Sequence, residues 1–254
     1  MKNIITIKDL DNNTLLSIDE KSYTIVYDNT KESIIYNSFF NSCDTNILFR
    51  DKEINIHSLN SKKNNIEILN NKYNKLLTSN TVYENLMIRI ESLNLNKDNV
   101  LKRFNKFLKV YNYEMFINTR ISDLSYGQKY LILFLILICQ KPSVLVIDDL
   151  LDYLDKKNKE ITISLLNKIN ENGTTIIYFT NNINNIFIGN DYLILKENKI
   201  IINSSKKNID VKKFTDNNIS LPFIVDLTKK LRYYIPIKQS CYNINELVDE
   251  IWMR

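Results

Sequence analysis

The stretch LSYGQKYLILFLILICQKPSVLVIDDLLDYLD, residues 124–155, decides the fold of this chain. Its longest apolar run, Leu131–Cys139, has nine residues. A helix needs about 20 apolar residues to cross a bilayer, so the run predicts a helix buried in a protein core. The segment SVLVID that follows, residues 143–148, contains four consecutive apolar residues, three of them β-branched, which predicts a strand buried on both faces. That strand ends in two acids, Asp148 and Asp149.

Segments on both sides repeat this alternation of apolar strands with helices. Strands are predicted at YTIVY (23–27), IEIL (66–69) and TTIIYFT (174–180), and a hairpin at 191–203. Helices are predicted at IIYNSFF (34–40), over residues 81–117 with the segments TVYENLMIRIESL and DNVLKRFNKFLKVYN, and at about 157–170, with Thr81 and Asp98 as N-caps and Gly173 as a C-terminal stop. The pattern predicts an α/β fold with a mainly parallel sheet that is covered on both faces.

The composition argues against several classes of protein. The 254 residues carry a net charge of +5, with 34 basic residues scattered among 29 acids. A nucleic-acid-binding protein would concentrate its basic residues, so no nucleic acid is expected, whereas a mildly basic surface suits the cytoplasmic face of a membrane. The chain opens without the apolar core of a signal peptide. Three distant cysteines (Cys43, Cys139, Cys241) and a single histidine, His57, give no metal-ligand spacing and indicate a reducing compartment.

Two parts of the opening stretch are suited to bind a nucleotide. The turn LSYGQ enters a helix, where free N–H groups favour an anion, with a hydroxyl from Ser125 and close backbone approach at Gly127. Taken alone, these five residues also fit an ordinary helix cap. A carboxylate at the carboxyl end of a parallel strand, here Asp148, can hold Mg²⁺ on a nucleotide, and a second acid can orient water.

In order and spacing, residues 60–200 resemble the ATP-binding cassette (ABC) family, the ATPases of ABC transporters. The resemblance implies a P-loop NTPase fold that binds ATP and Mg²⁺. It makes Leu124–Gln128 the signature motif, with Tyr126 in place of the usual second glycine and Ser125, Gly127 and Gln128 retained. It also assigns roles to six further positions: Asp148 binds Mg²⁺, Asp149 stands for the catalytic glutamate, Leu154 and Asp155 form the D-loop, Asn181 stands for the switch histidine, and Asn71 lies near the Q-loop glutamine.

The tail is similar to the C-terminal extension of energy-coupling factor transporter ATPases. That extension has an apolar-Pro-Phe segment, an amphipathic helix and a last helix that begins with ELV, and the ending at Trp252 resembles the first of the two ATPase paralogues. The resemblance implies an ABC ATPase-like domain at 1–205, with a helical signature subdomain at about 76–135, and a small C-terminal helical extension at 206–254.

The phosphate loop of the family is absent from the sequence. A comparison without gaps sets YDNTKESII (27–35) in its place, with Ser33 at the lysine position and Ile34 at the hydroxyl that binds Mg²⁺. The nest that holds a phosphate needs successive N–H groups turned inward, with positive φ that glycine tolerates. We therefore expect the chain's own nucleotide site to be impaired, with the acid of Glu32 opposing phosphate. A shifted loop that uses Lys31 remains the alternative.

These expectations combine into one functional hypothesis. In the family two cassettes meet head to tail, and the signature of one caps the ATP of the other. The chain is expected to cap ATP and Mg²⁺ held mainly by a second ABC ATPase subunit, beneath a membrane scaffold subunit at the cytoplasmic face of the membrane, and to power micronutrient uptake. The alternatives are an active ATPase with an atypical phosphate loop, a pseudo-ATPase with a structural or regulatory role outside transport, and, for the core alone, another cassette family such as a haem-export subunit.

Overall fold

The computed structural model describes residues 2–41, 44–54, 65–70, 77–237 and 241–252. The expectations for Cys43, His57 and Asn71 lie outside the described residues. Within them the chain forms strands β1–β10 and helices α1–α8. The strands are Asn3–Lys8 (β1), Thr14–Asp19 (β2), Tyr23–Asp28 (β3), Asn46–Phe49 (β4), Lys52–Ile54 (β5), Ile66–Leu69 (β6), Val144–Asp148 (β7), Thr175–Thr180 (β8), Asp191–Lys196 (β9) and Lys199–Ser205 (β10). The helices are Ile34–Phe40 (α1), Val82–Ser92 (α2), Lys97–Tyr111 (α3), Tyr126–Ile138 (α4), Lys156–Glu171 (α5), Val211–Asp216 (α6), Phe223–Leu231 (α7) and Ile244–Trp252 (α8).

The strands form two sheets. The larger sheet has six strands in the order β10-β9-β3-β8-β7-β6, in which β3 and β6–β9 run parallel and β10 pairs antiparallel with β9. The smaller sheet is antiparallel, in the order β2-β1-β4-β5. The predicted α/β fold, the mainly parallel sheet and the hairpin at its edge are therefore confirmed.

The parallel sheet is covered on both faces, because most of the residues in its strands are apolar and do not alternate with polar ones. Successive side chains of a strand point to opposite faces. Tyr178 on β8 accordingly belongs to a core cluster with the helices, whereas its neighbour Phe179 belongs to a second cluster with the small sheet and α1. Helix α1 contributes Phe39 and Phe40, whose rings lie 5.6 and 5.3 Å from the ring of Phe179.

The helix ends follow from local chemistry, with one correction. Thr81 caps α2 as predicted, in a capping box with Glu84. The cap of α3 is Asn96, whose side chain accepts from the Asn99 N–H, so the prediction of Asp98 is wrong by two residues. Asp98 lies instead in the first turn, where its charge favours the helix dipole. Gly173 follows α5 at φ 101°, as expected for a glycine that stops a helix.

The C-terminal helices pack onto the main core. Phe214, Val225 and Leu247 are buried in the cluster that also holds the helix-side residues of the parallel sheet. The boundaries between the cassette, its helical subdomain and the extension stay a prediction. No helix in the described part of the chain is long and apolar enough to cross a membrane.

Candidate functional site

The candidate site lies where three neighbouring parallel strands end. β3, β8 and β7 are adjacent in the sheet and finish at Asp28, Thr180 and Asp148. Since parallel strands present their carboxyl ends at one edge, the loops that follow them meet there, and this edge is where α/β sheets bind ligands.

Two acids and one lysine occupy the centre of this edge. Asp148 and Asp149 are each only 4% exposed. The Nζ atom of Lys31 lies 2.8 Å from Oδ1 of Asp148 and also contacts Oδ2 of Asp149. The backbone of Asp149 turns into the left-handed region (φ 45°), and its N–H donates to the carbonyl of Phe179 at 3.0 Å, which turns this carboxylate toward Lys31. The two buried acids and the partly buried Lys31 form one cluster of two negative charges and one positive charge.

Burial and charge act in opposite directions on the members of this cluster. Burial lowers the pKa of Lys31, but hydrogen bonds and attraction from Asp148 and Asp149 outweigh it and leave the pKa raised. Burial raises the pKa of Asp149, against hydrogen bonds from Lys31 and Thr180. The hydroxyl of Tyr36 donates to Oδ2 of Asp148 at 2.9 Å, and burial followed by the charge of Asp148 raises the pKa of this phenol, so it stays a donor.

The loop after β3 turns its N–H groups onto an oxygen of the protein itself. The N–H groups of Thr30 and Lys31 donate to Oδ1 of Asp28 at 3.2 and 3.0 Å, and the Ser33 N–H donates to Oδ2 at 3.2 Å. The Glu32 N–H donates to the Thr30 hydroxyl at 3.3 Å. The carboxylate of Asp28 therefore lies in the concave side of the loop, where several N–H groups converge.

The next N–H group is also engaged. The N–H of Ile34 donates to Oδ1 of Asn198, at 2.8 Å, from the turn between β9 and β10. All five N–H groups from residue 30 to residue 34 thus donate within the protein.

In this loop Lys31, and not Ser33, is the residue whose side chain reaches the two acids. The comparison without gaps had set Ser33 at the lysine position of the family. Ser33 is the N-cap of α1, and its hydroxyl accepts from the Tyr36 N–H at 3.1 Å. Lys31 has φ 55°, a left-handed conformation that bends the loop. The ammonium that reaches Asp148 therefore comes from a residue two positions before Ser33. Glu32 is exposed.

The predicted signature residues form the start of α4. Ser125 and Gln128 make a reciprocal capping box, in which the Ser125 N–H donates to Oε1 of Gln128 at 2.8 Å and the Gln128 N–H donates to the Ser125 hydroxyl at 3.3 Å. Both side chains thus have a structural use at the helix end, as the simpler interpretation of this motif expects.

The middle of the motif contacts the turn that follows the acids. Tyr126 is 43% exposed, and its ring centroid lies 5.0 Å from that of Tyr153, in the 3₁₀ turn Leu150–Tyr153. Gly127 packs against the carbonyl of Tyr153 so closely that a Cβ atom would overlap it. The start of α4 and the segment after Asp149 therefore form one surface, with two exposed aromatic rings where the family's second glycine would leave open backbone.

The remaining predicted site residues fall into three groups. Asp155 caps α5, and its carboxylate accepts from the N–H and the side-chain amide of Asn158 at 2.9 and 2.7 Å. Asn181 is exposed after β8 and makes no hydrogen bond to Asp148 or Asp149 within the described residues. The placement of Asn71 lies outside the described residues.

Sequence reasoning missed three residues of the site. Asp28 accepts hydrogen bonds from the loop, and Tyr36 donates one to Asp148. Asn185 is buried, and its side-chain amide donates to Oδ1 of Asp152 and to the hydroxyl of Thr180, both at 3.2 Å. Asp28 is the last residue of a buried strand, which is a usable signal. Tyr36 has none, because its role depends on the angle between α1 and β7. Asn185 stands in the segment NNINN, where many asparagines conceal the one that is buried.

As arranged, these residues do not fit a magnesium-bound nucleotide. Magnesium is held by about six oxygen ligands at roughly 2.0–2.1 Å, and both carboxylate oxygens of Asp148 already accept from Lys31 and Tyr36. A bound phosphate group would need hydrogen bonds from the loop N–H groups, and these already donate to Asp28. Among the described residues there is no group of three or more His, Cys, Asp or Glu arranged to hold a metal ion.

Comparison with known proteins agrees with this fold. Residues 33–151 match the family model for ABC transporters. An energy-coupling factor transporter ATP-binding protein, EcfA1, from Streptococcus thermophilus is 25% identical over 167 residues, which are 64% of this chain and 60% of that protein. The chain spans between 30% and 60% of the length of the first curated relatives that it matches.

Two solved structures share the fold over most of the chain. The structure of cbiO1 from Clostridium perfringens, part of the ABC transporter complex cbiONQ, has a TM-score of 0.65 at 20% identity and covers 93% of this chain and 97% of its own. The dimeric ATP-binding cassette MJ0796, bound to ADP and Pi, has a TM-score of 0.63 at 19% identity and covers 81% of this chain and all of its own. The family match runs from the start of α1 through the signature residues to the acid pair, so residues 33–151 of this chain are similar in sequence to the ABC transporter family.

Proposed function

We propose that this chain is a degenerate ATP-binding cassette of an energy-coupling factor-type importer. It works as one half of a heterodimer in which a second ABC ATPase subunit holds most of the ATP and Mg²⁺. Its own contribution is the signature surface, Ser125–Gln128, which caps the partner's nucleotide. The pair lies beneath a membrane scaffold subunit, at the cytoplasmic face of the membrane, and drives micronutrient uptake.

One observation carries this proposal. The groups that would hold a nucleotide are bonded to the protein itself: the loop N–H groups donate to Asp28, and the acids contact Lys31. In contrast, the signature segment keeps a regular helix start and an exposed surface at Ser125 and Tyr126. The loop N–H groups and the acids of this site have partners within the chain, while the signature beside it is exposed. This combination suits a subunit that caps a nucleotide bound by its partner.

The relatives support the transporter assignment by their names. EcfA1 is named as an energy-coupling factor transporter ATP-binding protein, cbiO1 as part of a transporter complex, and MJ0796 as a dimeric cassette bound to ADP and Pi. The C-terminal helices α7 and α8 of this chain resemble the extension of the energy-coupling factor ATPases, which adds to the support. With scattered basic residues, no nucleic acid is needed as a partner.

The test is co-purification with a candidate second cassette, followed by ATPase measurements on the pair. Ser125→Arg should lower the activity of the pair at least about tenfold, because small displacements at a reacting centre are costly. Ser125→Asp separates the surface from the helix: aspartate is a good N-cap, so α4 is kept while a negative charge faces the phosphates. Ser17→Arg, on the exposed face of β2, is the control for added charge. Unchanged activity in both Ser125 variants would show that the capping role is wrong.

A second candidate function is an active ATPase with an atypical phosphate loop. The position of Lys31 favours it, since an ammonium at the two acids is where a loop of shifted register would bring one. Binding of Mg-ATP by the isolated chain at millimolar concentration supports this candidate. Absence of binding at that concentration removes it and leaves the degenerate cassette.

A further inference from the structure

Lys31 occupies the place that a divalent metal ion would need. We propose that Lys31 is a built-in cation that replaces the metal at Asp148 and Asp149, so that the site is complete in its folded form without metal or nucleotide. This inference deepens the proposed function. It rests on that function in one respect, since both require that the chain's own site does not bind Mg-ATP.

The surroundings of Asp148 leave no room for a metal beside the lysine. Oδ1 accepts from Nζ of Lys31 at 2.8 Å, and Oδ2 accepts from the hydroxyl of Tyr36 at 2.9 Å. The side chain of Asp148 is 5% exposed. A magnesium ion would have to displace one of these donors, and it would bring its own waters into a buried position.

Asp149 supplies the second negative charge that the lysine offsets. Its Oδ2 contacts Nζ of Lys31, while its Oδ1 is buried with no hydrogen-bond partner among the described residues. Two buried carboxylates next to each other repel strongly unless a cation lies between them. Lys31 is the cation found there, which explains why its backbone accepts the left-handed conformation.

The anion side of the site has a matching replacement. The loop N–H groups of Thr30, Lys31 and Ser33 all converge on the carboxylate of Asp28. The chain thus supplies a negative group where a phosphate would lie and a positive group where the metal would lie. A site with both replacements holds its strands and loops together without a ligand.

The experiment measures metal binding and thermal stability of the full chain, with Mn²⁺ as the probe. Bound Mn²⁺ is followed by electron paramagnetic resonance, and the melting temperature is compared with and without Mn²⁺ at constant ionic strength. The wild type should bind no Mn²⁺ at the acids and show no shift in melting temperature. Lys31→Met should melt roughly 5–10 °C lower, bind one Mn²⁺ and recover part of the loss when Mn²⁺ is added.

Lys21→Met is the matched control. Lys21 also has a positive φ, 64°, but it lies in the turn before β3, and within the described residues its ammonium makes no salt bridge to an acid. Its replacement should change neither Mn²⁺ binding nor the response of the melting temperature to Mn²⁺. A folded Lys31→Met that gains no Mn²⁺ binding would overturn the proposal. So would a wild type that binds Mn²⁺ and loses it in Asp148→Asn.

The outcomes also separate this inference from the proposed function. If Lys31→Met fails to fold while the wild type binds no Mn²⁺, the need for the built-in cation is supported directly. If the wild type binds Mg-ATP, both proposals fail. If the wild type binds no Mg-ATP and Lys31→Met folds without taking up Mn²⁺, only the role of Lys31 is wrong.

Discussion

Gly127, in the first turn of α4, packs directly on the carbonyl oxygen of Tyr153, in the turn that follows the acid pair. An added Cβ atom would overlap this backbone oxygen, which cannot move away as the end of a side chain can. The glycine is therefore required by contact between two segments of the site, and a reason for it exists that does not involve phosphate.

Gly127→Ala should destabilise the chain by about 1–2 kcal/mol, because overpacking against backbone costs more than the helix propensity of alanine returns. The sign is informative: without the contact, alanine in a helix would stabilise by up to about 1 kcal/mol. Chemical denaturation measures the change, and hydrogen exchange at the Ser125 and Gln128 amides should rise. Gly173→Ala is the comparison, since it strains a positive φ in open space and should leave exchange at α4 unchanged.

Tyr36→Phe tests the hydrogen bond from α1 to β7. The phenol donates to the buried carboxylate of Asp148 at 2.9 Å, and the ring packs against Phe40 and Phe179. Phenylalanine keeps the packing and removes a bond to a charged group, which should cost roughly 1.5–3 kcal/mol of unfolding free energy. Tyr27→Phe is the matched control, because its hydroxyl makes an exposed bond of 3.4 Å to Asn29, and loss of that bond should cost less than about 0.5 kcal/mol. Equal losses in the two variants would contradict the assigned role of Tyr36.

The sequence predicted the elements of the fold better than the contacts of the site. Strands such as β7 (VLVID) and β8 (TIIYFT) are apolar at all their inner positions, so burial on both faces follows largely from the residue types. The pairing of α4 with the acids followed from order and spacing along the chain. These features depend on local patterns, which a single sequence displays.

The site itself depended on distances that no local pattern displays. The left-handed backbone of one loop residue decides whether Lys31 or Ser33 reaches Asp148. A sequence comparison without gaps does not show backbone conformation. The loop folds back onto Asp28, so that its carboxylate accepts from N–H groups three and five residues later in the chain. The cap of α3 was missed because Asn96 and Asp98 are both good caps, and only the backbone conformation selects between them.

Stability should fall as the pH rises from about 4.5 to 7, through Glu67 on β6. This carboxylate is 2% exposed and contacts Nη2 of Arg89 on α2 at 2.6 Å. Burial raises its pKa from 4.5 to about 7, against the attraction of Arg89. Since the folded pKa lies above the unfolded one, the folded state holds the proton longer, and this contribution to stability is complete below pH 4.5 and lost by about pH 7.

Glu67→Gln should flatten this part of the pH profile, as measured by urea denaturation at several pH values. Glu53→Gln, at an exposed position of β5, changes the same charge without the burial and should leave the slope unchanged. A slope that persists in Glu67→Gln would mean that another group titrates in this window.

Leu247→Ala tests whether the C-terminal helices fold with the cassette. Leu247 on α8 is 3% exposed and lies in the core cluster that includes residues of the parallel sheet, whereas its neighbour Val248 is 41% exposed. Loss of a buried leucine typically costs about 2–5 kcal/mol, which for a chain of this size lowers the melting temperature by very roughly 4–20 °C. We expect one unfolding transition, shifted as a whole in Leu247→Ala and by less than about 4 °C in Val248→Ala. A second, separate transition that alone responds to Leu247→Ala would show that the extension unfolds as its own unit.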